Sequence, residues 1–132
     1  FNMSQRLVPQ ADQPFAALIN DLDDRGMLDH TLVVMMSEFG RTPLINSRLG
    51  RDHWPDCWSI ALAGCGIKRG AIIGETTKDG GFVNGRGYDV GDLFHTIYNV
   101  LGIDAHRVRY NHKGQKLAIA NDDCEPIEEV MQ

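Results

Sequence analysis

Thr31-Leu32-Val33-Val34-Met35-Met36-Ser37-Glu38-Phe39-Gly40-Arg41-Thr42-Pro43 takes the chain from an unbroken apolar run into a polar break. A loop leads on to Gly50-Arg51-Asp52-His53-Trp54-Pro55, and a second apolar run covers residues 58–63. Residues 32–36 show no alternation of apolar and polar side chains. The expectation is therefore a strand buried on both faces, as in a parallel sheet covered by helices. The fold class that follows is α/β: a mostly parallel sheet flanked by helices, with residues 1–132 as a single domain. In open sheets of this kind ligands bind just beyond the carboxyl ends of the strands. That places the candidate site between the two apolar runs, in residues 37–57. A structureless loop of that length is uncommon in a compact domain and is usually functional.

Outward from this stretch, the spacing predicts two helices. Phe15, Leu18, Ile19 and Leu22 recur at helical intervals behind Asp12 as cap and Pro14 in the first turn, and Gly26 ends the run. Residues 1–11 read as polar and irregular. Asp21, Asp23 and Asp24 form a solvated polar face, because neighbouring acids on a helix splay apart. Asp89 caps the second helix, with Leu93, Phe94, Ile97, Tyr98 and Leu101 on one face and Gly102 past its end. His95, beside that stripe, reads as partly exposed. Trp54 and Trp58 read as core. Gly64, Gly66 and Gly70 do not match a dinucleotide-binding loop, since the third glycine comes one residue late. Residues 71–74 read as a short strand. Gly80-Gly81 and Asn84-Gly85 mark a hairpin or surface excursion. A short strand and a last helical turn are expected in the tail.

With 132 residues, 42% hydrophobic and 23% charged, the chain has the composition of a globular protein with a core. The net charge of -5 argues against a nucleic-acid partner, which would need clustered Lys and Arg. No apolar run approaches membrane-spanning length, so no membrane partner is expected. Cys57, Cys65 and Cys124 are an odd set without a C-x-x-C pair, which speaks for free thiols rather than a disulfide framework. The chain opens on Phe1 and not Met, which is expected of a processed chain or a portion of a longer one.

Four motifs in order resemble the C-terminal part of the sulfatase-like proteins of the DUF1501 family. They are Thr31-Leu32-Val33-Val34 with Ser37 to Pro43; Gly50-Arg51-Asp52-His53; Ala63 to Gly70; and Asp92-Leu93-Phe94-His95-Thr96-Ile97 through Leu101-Gly102-Ile103-Asp104. That family looks like a branch of the alkaline phosphatase–sulfatase superfamily. The resemblance implies a mostly parallel sheet between helix layers, and a metal pair beside a nucleophile. It sets Glu38 where the superfamily has a ligand Asp, Phe39 where it has a ligand His, and His53 where it has a later ligand His. The nucleophile would lie outside this chain. An exported or periplasmic location also follows from the family analogy.

The residues themselves allow two readings. A carboxylate and an imidazole suit zinc or a similar divalent ion such as manganese, and oxygen-rich sites suit calcium or magnesium. Glu38 and His53 would be ligands, and Asp52 a third ligand or the group that orients His53. Arg41 and Arg51 would grip a sulfate or phosphate ester through bidentate hydrogen bonds. This is part of a metal-dependent ester hydrolase, in which the metal polarises the ester oxygen. Alternatively Glu38 caps a neighbouring helix or pairs with Arg41, His53 is a hydrogen-bonded structural histidine, and the two arginines are exposed or anchor the loop. This is a non-catalytic, degenerate binding or structural module, and Phe39 at a ligand position supports it. A sheet left with an exposed edge would recruit a second copy of the chain.

Overall fold

The computed structural model describes residues 2–131. It contains two α-helices and eight short strands: α1 (Asn2–Asp24), β1 (Val33–Met35), β2 (Gly40–Arg41), β3 (His53–Trp54), β4 (Ala61–Ala63), β5 (Glu75–Thr76), β6 (Val83–Asn84), α2 (Val90–Val100), β7 (Arg109–His112) and β8 (Gln115–Ala118). Short 3-10 turns at Leu28–His30 and Glu128–Val130 complete the described elements.

The strands form four two-stranded antiparallel ribbons: β1 with β4, β2 with β3, β5 with β6, and β7 with β8. This corrects the expected α/β architecture. No mostly parallel sheet flanked by helices forms among the described residues, and the fold is not alkaline-phosphatase-like. The connection between β1 and β4 supplies the reason. A parallel pair needs a crossover of a dozen or more residues, usually a helix. Residues 36–60 instead fold into the β2–β3 ribbon and turns, so β4 returns antiparallel, with Val33, Val34 and Met35 opposite Ala63, Leu62 and Ala61. Nor is β1 buried on both faces. Val33 and Val34 are half-buried and Met35 is 48% exposed.

α1 begins far earlier than expected. It runs through Pro9, Asp12 and Pro14, so Asp12 is not its cap and residues 2–11 are helical; Phe1 lies outside the described residues. Gly26, at φ +65°, ends it as predicted, with its N–H donating to the Asp23 carbonyl. Of the apolar stripe only Leu22 is buried. Arg69 donates two hydrogen bonds to the Asp23 carboxylate and ties α1 to the turn after β4.

α2 is where expected. The Asp89 carboxylate accepts from the Gly91 N–H, and the Asp92 carboxylate accepts from the Asp89 N–H, a reciprocal cap. Its buried side differs from the predicted stripe. Leu93, His95 and Thr96 are buried, while Phe94 and Leu101 are exposed. The C-terminal tail selects this face. Thr96, with no exposed surface, donates to the Asp92 carbonyl and accepts from the Ile127 N–H at 2.8 Å. The His95 Nε2 lies 2.7 Å from the Asn121 carbonyl, so the predicted partly exposed histidine is a buried clamp. Cys124 packs against Gly91, where a Cβ would collide with its sulfur. Burial, and then the charge of Asp123, push the Cys124 thiol up, as suits an inert structural cysteine.

Residues 71–74 form no strand. The excursion that follows is the β5–β6 hairpin, and the tail carries the β7–β8 hairpin before its last 3-10 turn.

Gly64 sits at φ +87°, with the Thr31 and Leu28 carbonyls where a Cβ would stand; Gly66, at φ +78°, has open space. Gly66→Ala should therefore cost only left-handed strain, about 1–2 kcal/mol, and Gly64→Ala clearly more. Urea unfolding midpoints at equal m-values would measure both. Thr96→Val keeps the volume but orphans the Ile127 N–H. The expected loss is about 1–3 kcal/mol by the same measurement, and an unchanged midpoint would remove Thr96 from its role as clamp.

Candidate functional site

The 37–57 segment is a folded ribbon, not a structureless loop. Gly40 pairs with Trp54 and Arg41 with His53, so Arg41 and His53 lie directly across from each other on one face. Gly40 is required there, because a Cβ would run into the Cys57 carbonyl. Trp54 is half-buried rather than core. Its indole N–H donates to the Gly81 carbonyl, and its ring meets Phe82 edge-on at 5.7 Å. This contact attaches the ribbon to the β5–β6 hairpin. Trp58 is likewise half-buried.

Asn46 organises the far end. Its Oδ1 accepts from the Arg48 and Gly50 N–H groups, and its Nδ2 donates to the Asp52 carboxylate at 2.8 Å. The Gly50 carbonyl accepts in turn from the Asn46 N–H. Asn is suited to this because its short amide can both donate and accept within one turn. The sequence reading passed over Asn46; an Asn four residues before a Gly in a polar loop was the available signal.

The five predicted site residues are placed as follows. Arg51 donates to the Thr42 and Pro43 carbonyls, and Arg41 donates to the Arg51 carbonyl at 3.2 Å. Both guanidiniums thus brace the ribbon's own backbone. The Asp52 carboxylate is engaged by Asn46, and its N–H donates to the Thr42 hydroxyl. The His53 ring stacks on Phe39, with centroids 3.8 Å apart, and the Arg41 guanidinium lies 5.5 Å from the centroid of the Phe39 ring. Glu38 is exposed at the ribbon's mouth. The structure therefore gathers Arg41, His53 and Phe39, with Glu38 adjoining in sequence, and holds Asp52 in a separate hydrogen-bond set.

Among the described residues, no group of three or more His, Cys, Asp or Glu side chains gathers to hold an ion. A catalytic zinc takes three protein ligands. A concavity lies elsewhere on the molecule. A cleft of about 940 Å³ is lined by Ile19, Leu28, Trp58, Leu62, Ile67 and Leu93, among others, with Asp23 and Arg69 at its margin. A second cluster sits beside α2. His95 and His106 have ring centroids 4.4 Å apart, and the His106 Nε2 lies 3.2 Å from a Glu125 carboxylate oxygen. It pins the tail to the helix.

The family model described as "Protein of unknown function (DUF1501)" matches residues 1–131. The chain belongs to the DUF1501 family. No curated protein and no solved structure matches it. In this DUF1501 chain the four motifs named above have concrete structural duties. The first is β1 and the entry to the ribbon, and the second contributes its return. The third is the turn held by Gly64, and the fourth is the clamped helix. None of the described helices is long and apolar enough to cross a membrane.

Asn46→Ala should loosen the turn while leaving α2 intact. Amide exchange at Arg48 and Gly50 should accelerate at least tenfold, the local equivalent of roughly 1.4 kcal/mol, with protection in Val90–Val100 unchanged. Equal acceleration in both places would show that the ribbon has no stability of its own.

Proposed function

We propose that this chain is a non-catalytic interaction module, a degenerate relative of the sulfatase-like enzymes whose site loop has become a structural strut. One observation carries this reading. The polar groups that chemistry would need are committed to the loop itself: Arg51 to two backbone carbonyls, Arg41 to a third, and the Asp52 carboxylate to Asn46. A guanidinium already donating to main-chain carbonyls has fewer donors for a bidentate grip on an oxyanion. Phe39, standing where the superfamily has a ligand histidine, serves here as the surface on which His53 rests.

Surface exposure supports a partner-binding role. The chain exposes 10074 Å². A compact monomer of 14.7 kDa exposes only about 6,900 Å². Among the described residues just seven apolar side chains are buried: Leu22, Leu28, Ile67, Leu93, Ala105, Cys124 and Ile127. Large apolar side chains stay open, with Leu44 80%, Leu49 90% and Ile72 93% exposed, and apolar surface left open in patches marks contact with another body.

The second reading is part of a sulfate- or phosphate-ester hydrolase. What favours it is the β2–β3 register, which sets Arg41 opposite His53 on an exposed face next to Glu38. Glu38 and His53 would then be ligands, and the nucleophile and the other acidic ligands would come from a further body.

Calorimetric titration of the purified chain with zinc, manganese and calcium separates the two. The module reading expects no stoichiometric binding, and no ester turnover by the chain. Stoichiometric binding of one of these ions, abolished in both His53→Ala and Glu38→Ala, would replace it with the hydrolase reading.

A further inference from the structure

The β5–β6 hairpin carries two dipeptides that can close a cyclic imide. Asp79-Gly80 and Asn84-Gly85 are the sole Asp-Gly and Asn-Gly pairs in the sequence. Closure joins the backbone nitrogen of the glycine to the side-chain carbonyl carbon of the residue before it. Glycine favours this, because it has no Cβ to obstruct the approach and its backbone is free to turn. An amide is the better partner, since it expels ammonia, whereas an ionised carboxylate resists attack. Asparagine is accordingly counted among the thermolabile residues.

The structure treats the two pairs differently. At Asp79-Gly80 both reactants are engaged. The Gly80 N–H donates to the Thr77 carbonyl at 2.7 Å. The Asp79 carboxylate accepts from the Thr77 hydroxyl and the Gly81 N–H, and these bonds hold its carboxyl below the ordinary carboxylate range. At Asn84-Gly85 both residues are exposed, and among the described residues the Gly85 N–H donates to no acceptor. A Cβ at Gly85 would meet nothing within 4 Å, so the approach is open. Two things restrain Asn84: a hydrogen bond from its Nδ2 to a Glu75 carboxylate oxygen at 2.6 Å, and the ribbon pairing of Glu75 with Asn84 and Thr76 with Val83. A ribbon of two residue pairs is marginal and opens locally, which gives the Asn84 backbone the freedom that ring closure needs.

We propose that Asn84 is a site of spontaneous modification, deamidating through Gly85, and that the product loosens the hairpin on which the 37–57 ribbon leans. The Gly85 nitrogen attacks the Asn84 Cγ. A new C–N bond forms as the Cγ–Nδ2 bond breaks, and the proton from Gly85 leaves with the amide nitrogen as ammonia. Water then opens the succinimide at either carbonyl, giving aspartate or isoaspartate at position 84. No electrons are exchanged, and water is the sole co-reactant. In the aspartate product the hydrogen bond to Glu75 gives way to two carboxylates directly across the ribbon, a destabilising pair. Isoaspartate instead lengthens the main chain by one carbon and breaks the register. The effect reaches the ribbon because its supports lie between β5 and β6. The Trp54 indole N–H donates to the Gly81 carbonyl, and the Cys57 thiol donates to the Gly80 and Gly81 carbonyls at 3.6 Å.

Peptide mapping by mass spectrometry, on the full chain aged in mildly alkaline buffer at physiological temperature, tests this. Asn84 should convert about tenfold faster than Asn46, Asn99, Asn111 or Asn121, none of which precedes a glycine, and Asp79 should isomerise more slowly than Asn84 converts. Asn84→Gln, which would have to close a larger ring, should stay unconverted at that position. The consequence is read separately by amide exchange in Asn84→Asp. The Thr77 N–H, which donates to the Phe82 carbonyl within the hairpin, should exchange about threefold faster, with protection in Val90–Val100 unchanged. Adding Glu75→Gln, which removes one of the two facing charges, should restore it. Conversion of Asn84 no faster than the other asparagines, isomerisation of Asp79 that outpaces it, or Thr77 exchange indifferent to Asn84→Asp would overturn the proposal.

Discussion

The antiparallel register of Val33–Met35 against Ala61–Ala63 determines how everything between them is used. It closes residues 36–60 into a single loop whose ends are fixed side by side. Within that closure the chain satisfies its own backbone. Arg51 and Arg41 reach carbonyls across the ribbon, and Asn46 holds the turn at the far end. A loop of this length pays conformational entropy to be ordered. Its charged and amide side chains offset that cost by hydrogen-bonding the main chain, which leaves fewer of them for a ligand.

A second set of constraints ties the C-terminal tail to α2. The Thr96 hydroxyl, the His95 ring and the Gly91–Cys124 contact all bring residues 121–127 onto one face of the helix. The face is chosen by polar complementarity as much as by apolar area. His95 and Thr96 are interior because the tail's main-chain groups meet them there, and a buried amide without a partner would be costly. The expected apolar stripe is only partly used: Leu93 is interior, while Phe94 and Leu101 face outward. Those outward apolar groups, with Met35, Met36 and the wide cleft lined by Leu62 and Ile67, leave apolar surface open.

The candidate site shows the limits of position-by-position transfer. Arg41 and His53 were identified from sequence, and they do face each other across the ribbon. Asp52 adjoins His53 in the chain, yet its carboxylate is engaged by Asn46. Residue type and spacing indicated which groups were chemically able. They carried no information about which hydrogen-bond partner would reach each group first, because Asn46 and Thr42 compete from the same loop.

By itself the sequence determined the elements that rest on local chemistry. Asp89 and Asp92 cap α2, Gly26 and Gly102 end helices in left-handed turns, and paired glycines turn the β5–β6 hairpin. Membership of the DUF1501 family was equally written in four ordered motifs. Tertiary structure alone decided strand direction, the buried face of α2 and the company each site residue keeps. An apolar run such as residues 32–36 is compatible with a parallel or an antiparallel neighbour. Its direction depends on what the intervening chain can span, and here residues 36–60 formed a ribbon instead of a crossover helix.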